Sequence, residues 1–146
     1  TEEDFADFIG KNADIYFRKF KKFSINAPDR FAISWNWAAF FFTYIWFAYR
    51  KMYRWAGLIF ITGTALGIIL PLLFPFWWIG ICIAANFIYF RHARKNILEL
   101  KTAHRFSKRE QLSVALQVSG GVNKWILAIA IPFVLIELFL SALASF

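Results

Sequence analysis

WNWAAFFFTYIWFAYRKMYR, residues 35–54, carries ten aromatic rings in twenty positions and ends in a cluster of positive charge. Its uncharged part reaches back to Phe31, so residues 31–49 (FAISWNWAAFFFTYIWFAY) hold no Asp, Glu, Lys or Arg. As one helix this segment would be ~28 Å long, close to the ~30 Å hydrocarbon thickness of a bilayer. Two arrangements are open: the segment spans, or it is re-entrant and leaves on the side it entered. If it spans, the 17 Lys and Arg divide into six before it and eleven after it. If it is re-entrant, all 17 share the cytoplasmic face. Lys and Arg concentrate on the cytoplasmic side of membrane proteins, so charge favours a non-spanning first element with the amino terminus in the cytoplasm. Asn36, Thr43 and Arg50 recur every seven residues and predict a polar line up an aromatic helix. Such a line suits a membrane-embedded helix turned toward protein, with Asn36 hydrogen-bonded across a helix contact.

The rest of the chain leans the same way. Of 146 residues, 60% are hydrophobic and 18% charged, against ~45–50% and ~25% in an ordinary soluble domain. Residues 55–90 are uncharged, and a single helix of that length would measure ~54 Å, so the chain must turn within it. Pro71 and Pro75 mark the turn, which predicts a transmembrane hairpin of 55–72 and 76–90 with Trp77 and Trp78 as headgroup-level anchors. Residues 125–146 form the last transmembrane helix, bent, if anywhere, at Pro132. The fold class is therefore an all-α integral membrane protein. It has three transmembrane helices, an aromatic membrane-embedded segment (31–49) and an N-terminal amphipathic helix, within a single membrane domain, 1–146.

Residues 1–23 read as one amphipathic helix with Phe5, Phe8, Ile9, Tyr16, Phe20 and Phe23 on one side. Thr1 with Asp4 resembles a capping pair, acids crowd the first turns, and bases crowd the last. This helix lies on the membrane surface or docks on the protein's own loops or on a partner. Residues 24–30, with Pro28, form the linker. Residues 91–124 carry eight Lys or Arg against two Glu and predict a basic cytoplasmic helix-turn-helix loop. In it Ser107 and Glu110 stand in capping-box spacing, and Gly120 with Gly121 stops a short helix whose Leu112, Ala115 and Leu116 face something apolar. The net charge of +8 sits beside the apolar blocks, which fits anionic headgroups and not nucleic acid. The single Cys82 cannot form an intrachain disulfide, and the first thirty residues show no apolar core of a secretory signal.

SWNWAAFFFTYIWFAYRKMY, preceded by FIGKNADIYFRKF, resembles the signature of a family of small bacterial inner-membrane proteins, domain-of-unknown-function family 2628. The resemblance covers roughly residues 5–90 and is carried by the NWAAFFF and YRKMY blocks. It implies a bacterial inner-membrane location and a multi-helix fold, and it supplies no catalytic residues.

Chemistry is sparse. Glu137 is the one ionisable group well inside an apolar span, ~18 Å along the helix from Trp125; it is a functional candidate, or it reaches the outer headgroups. His92 and His104 have no cysteine or carboxylate at ligand spacing, and no nucleophile or phosphate-loop motif occurs, so neither metal, cofactor nor catalytic site is expected. Gly63 with Gly67, and Gly80 with Ala84, are small pairs four apart that let helices approach closely, within the hairpin or in a homo-oligomer or larger membrane complex. Arg91, Arg94, Lys95, Arg105, Lys108 and Arg109 are candidates to clamp anionic lipid, beside their ordinary role as flanking charge. The function expected is that of a non-enzymatic accessory or scaffold subunit. The alternative is a small transport or lipid-handling protein with a polar path lined by Glu137, Asn36 and Asn86.

Overall fold

The computed structural model describes residues 1–24, 30–103, 106 and 108–144, with side chains described except at 24, 133, 134, 137, 138 and 140–144. Among these residues the protein is built from helices alone. The amino-terminal stretch forms two helices, α1 (Glu2–Ile9) and α2 (Ala13–Ser24), where the sequence reads as one. The break is at Gly10, whose φ of 77° stops α1, a conformation that glycine takes without a Cβ penalty. The bend brings both short helices onto one longer helix, α5 (Phe74–Thr102). Phe5 stacks on Phe90 at 5.9 Å, Phe20 meets Phe90 edge-on at 5.2 Å, Tyr16 meets Tyr89 at 5.0 Å and Phe23 meets Phe87 at 5.4 Å. Phe8, Ile9 and Phe23 are fully buried, each contributing ~1.5–3 kcal/mol. The amphipathic face is thus covered by the protein's own α5 and not by the membrane surface. Helix α6 (Arg109–Ser119) closes over α1, burying Leu116 and part of Leu112 and Ala115 as the sequence anticipates. Its cap residue is Lys108; Ser107 of the expected capping box lies outside the described residues.

Helix α4 (Tyr53–Ile69) and α5 form the expected hairpin, joined by a 3-10 turn at Pro71–Leu73, with Pro75 in the first turn of α5. Pro is tolerated there because first-turn amides have no partner within the helix. Helix α5 runs on past the apolar block to Thr102, carrying RHARKNILELKT beyond the end of α4.

Helix α3 (Trp37–Tyr49) is not straight. Thr43 has φ 39° and ψ −114°, which breaks it into two arms. Where the arms go is read from their contacts along α5. Phe31 packs on Phe87, and Asn36 bonds to Cys82 and Asn86. The Trp78 indole then donates to the Phe40 carbonyl at 3.1 Å, and Trp46 and Arg50 return to Tyr89. The segment therefore travels from the level of Asn86 to that of Trp78, ~12 Å along the helix, and comes back. Both its ends lie at one level. The polar line expected through Asn36, Thr43 and Arg50 is broken at its middle member.

Helix α7 (Trp125–Ala144) starts from that same level, since the Asn123 amide donates to the Tyr49 carbonyl at 2.8 Å and its side chain to the Tyr53 hydroxyl at 2.9 Å. The molecule is consequently two-layered. The buried core gathers where α1, α2 and α6 meet the middle of α5 and continues into α3 and the first half of α4 through Trp46, Phe47, Met52, Ala56 and Ile59. Beyond it, large apolar side chains such as Ile61, Ile68, Leu72, Phe76 and Ile129 are at least half exposed. The accessible surface is 10064 Å², well above the ~7,800 Å² of a compact soluble monomer of this mass. Of the three spans expected, the helical run Pro71–Thr102 is long and apolar enough to cross a membrane. Helix α4 is shorter, at 17 residues, and α7 includes side chains outside the described set.

Candidate functional site

Two buried polar constellations hold the returning segment. At its entry, Asn36 caps α3 by accepting from the Ala39 amide at 3.0 Å, and its own amide donates to Asn86 Oδ1 at 3.0 Å. Asn86 Nδ2 in turn lies 3.0 Å from Ser34 Oγ and 3.0 Å from the Trp35 carbonyl, while the Asn36 backbone amide donates to the Cys82 carbonyl at 3.2 Å. Asn36 and Asn86 are 2% and 0% exposed, so they are satisfied by each other and closed to solvent. This fits the helix-packing role expected of Asn36 and leaves neither residue to line a wet path.

At its exit sits Arg50, buried to 3% exposure, and among the described residues it makes no ion pair. Its guanidinium lies over the Tyr16 ring at 4.6 Å and the Tyr89 ring at 5.0 Å. Nη1 donates to the Ile9 carbonyl and the Tyr89 hydroxyl, both at 3.3 Å, and Nε has no hydrogen-bond partner among the described residues. Ile9 ends α1 and Arg50 itself caps α3, so the cation stands at the negative ends of two helix dipoles and on two π-faces. These four dipolar partners take the place of a counter-ion, and they tie α1, α2, α3 and α5 together.

The small residues divide. A Cβ at Gly63 would come within 2.6 Å of the Trp77 ring, so Gly63 is where α4 and α5 approach closely. At Gly67 the neighbour is Phe74 at 3.9 Å, an ordinary contact, and Gly80 faces open space, with Ala84 half-buried. Of the four, Gly63 is the position where the hairpin leaves no room for a Cβ. Trp77 and Trp78 have packing partners: one ring fills the gap at Gly63, and the other stacks on Phe40 at 4.5 Å. Gly120 has a role beyond stopping α6. A Cβ there would run into the Phe8 carbonyl, to which the Gly121 amide donates at 2.7 Å, so these glycines let α1 touch the backbone.

The basic residues also separate. Arg109 pairs with Asp7 at 2.9 Å, Asp4 at 3.4 Å and Glu3 at 3.7 Å, fastening α6 to α1. Asp4 is buried and also receives Lys101 and the Thr1 nitrogen, each at 2.8 Å, and the Thr1 hydroxyl at 2.7 Å. Burial raises its pKa, but hydrogen bonds from Lys101, the Thr1 nitrogen and the Thr1 hydroxyl outweigh burial and hold it well below the usual carboxylate range. Lys108 is exposed at the cap of α6, and Arg105 lies outside the described residues. Arg91, Arg94 and Lys95 do come together, and with them Lys51 and Arg54, which sequence reasoning did not select. They line a cleft of about 970 Å³ between the start of α4 and the extension of α5. The positive cluster closing the aromatic segment was the signal; that it faces Arg91 is a property of the fold.

Helix α7 includes position 137, but the Glu137 side chain, like His104, lies outside the described residues. His92 is half-buried with its ring on Phe8 at 6.2 Å. Among the described residues no three His, Cys, Asp or Glu side chains gather as metal ligands would. No family model matches the chain, and neither does any curated protein or solved structure.

Proposed function

We propose that this chain is a multi-pass bacterial inner-membrane protein acting as a non-enzymatic accessory or scaffold subunit. In this reading α4, the apolar part of α5 and α7 span, residues 31–49 are re-entrant, and α1, α2 and α6 form a folded platform on the cytoplasmic face. The observation that carries it is the segregation of charge. Every Lys and Arg lies in 1–54 or 91–124 and none in the apolar runs 31–49, 55–90 or 125–146; the described ones sit with the layer that holds the buried core, while the opposite layer exposes apolar side chains. Such a layer is stable in hydrocarbon, and a basic platform on one side accords with the cytoplasmic bias of Lys and Arg. The bacterial location and membership in the family that the NWAAFFF and YRKMY blocks resemble are part of the same proposal. A scaffold role is favoured over a transport path because the two asparagines that would line the path are bonded to each other.

Two measurements test it. With Cys82→Ala as background, Asn12→Cys and Leu72→Cys should label from opposite sides of inner-membrane vesicles, the first from the cytoplasmic side. Labelling of position 12 from the periplasm sinks the topology. Native mass spectrometry from nanodiscs should show a second subunit in fixed stoichiometry, and recovery as a lone monomer sinks the scaffold role.

A further inference from the structure

We propose that the cleft between the amino-terminal turn of α4 and the extension of α5 is a binding site for the phosphate-bearing headgroup of an anionic lipid. It rests on the membrane reading above. Arg54, Arg91, Arg94, Lys95 and Lys51 line the cleft, against a single carboxylate, Glu99. Glu99 pairs with Lys95 at 3.7 Å, and Lys51 donates to the Val118 carbonyl at 2.8 Å. Arg54 and Arg91 make no ion pair among the described residues, so the cleft presents uncompensated guanidinium charge. Guanidinium forks match the oxygens of a phosphate. The first turn of α4 lines the same cleft, and its leading amides have no acceptor within the helix, which adds positive potential.

The remaining lining argues for a lipid over a soluble anion. Phe87, Ile88 and the buried Met52 form an apolar side of the cleft. Tyr53 and Trp55, 53% and 40% exposed, stand on it, and Tyr53 is linked through Asn123 to the start of α7. Tyr and Trp gather at the headgroup level of membrane proteins. The cleft therefore carries basic groups on both of its walls beside an apolar side, the combination that a lipid headgroup and its acyl chains would meet.

The test uses the full chain in nanodiscs of equimolar phosphatidylcholine and phosphatidylglycerol, released for native mass spectrometry. The wild type should retain phosphatidylglycerol in preference to phosphatidylcholine. Arg54→Gln with Arg91→Gln should weaken that retention about 30-fold, at about fivefold per surface charge. The corresponding pair of Lys substitutions should keep most of it, and Lys11→Gln with Lys22→Gln, outside the cleft, should leave it unchanged. The inference is overturned by equal retention of both lipids, by an equal loss in the Lys11 and Lys22 variant, or by displacement with millimolar inorganic phosphate, which would mark a soluble anion site. A wild type that enters nanodiscs without headgroup preference sinks this inference alone. One that does not enter sinks the membrane reading with it.

Discussion

Replacing Arg50 with methionine, which keeps the apolar stem and removes the guanidinium, should release α1 and α2 from the rest of the protein. Burying a guanidinium carries a penalty of several kcal/mol. Against it stand two charge-assisted hydrogen bonds at 3.3 Å, two ring faces at 4.6 and 5.0 Å and two helix ends. At roughly 1.5 kcal/mol per long bond, up to ~2 per desolvated ring and up to ~2 for the dipoles, these offset the penalty with little to spare. The loss in the variant then comes mainly from what methionine leaves behind. The Ile9 carbonyl and Tyr89 hydroxyl become buried groups without a donor or acceptor, at ~1–3 kcal/mol each. The expected net effect is about 3 kcal/mol, or roughly 150-fold in the local opening constant. Hydrogen exchange in nanodiscs should show it as lost protection across residues 5–23, with the far half of the α4–α5 hairpin unchanged. Adding Tyr89→Phe removes one orphan and should restore part of the protection. Unchanged exchange in α1 and α2, an equal loss in the hairpin, or a double variant worse than the single one would refute the reasoning.

Gly63→Val should destabilise the hairpin by about 1–3 kcal/mol through overpacking against Trp77, read as a lower detergent-unfolding midpoint. Gly80→Val should leave the monomer unchanged, since that position faces open space. Asn86→Leu leaves the Asn36 amide and Ser34 hydroxyl without partners, a loss of about 1–3 kcal/mol; exchange should quicken over residues 31–40, and unaltered exchange there would show that the asparagines do not anchor the segment. Asp4 has its pKa depressed by folding, so its contribution is present above the unfolded value of ~3.9 and fades as pH falls below it. Protection of α1 should be level from pH 8 to 5, at about one to four units above that value, and drop below about pH 4. In Asp4→Asn the drop should vanish.

Helix positions, the proline elbow and the ring-bearing face of residues 5–23 were legible because each is written in local periodicity or in a residue with fixed backbone consequences. The partner of that face was not, since a stripe of phenylalanines satisfies lipid and protein alike; Phe87, Tyr89 and Phe90, which cover it, read in sequence as part of a lipid-facing span. The break at Gly10 was hidden for a related reason. The apolar residues on either side keep helical phase across it, and the positive φ is visible only in the backbone. Among the basic residues, Arg91, Arg94 and Lys95 were found through charge density. Arg109 belongs to the same dense run, yet it serves Asp7 and Asp4, roughly a hundred positions away, a pairing that no short-range pattern encodes.

The returning path of residues 36–50 follows from where its polar ends find partners. Asn36 is bonded to Asn86 and Arg50 to Tyr89, and these two residues are one turn apart on α5, ~5 Å by helical rise. An unbroken helix from 36 to 50 would hold its ends ~21 Å apart. Both bonds therefore cannot form unless the helix folds, and Thr43, where it does fold, lies midway between them. Its backbone is in a region that a β-branched residue rarely takes, at ~1–3 kcal/mol. Two buried, hydrogen-bonded anchors offset that strain, because a buried amide or guanidinium without those partners has no water to turn to. The seven-residue recurrence marks two ends and a bend, and most of the ~28 Å that suggests a crossing is divided between two arms of ~10 Å each.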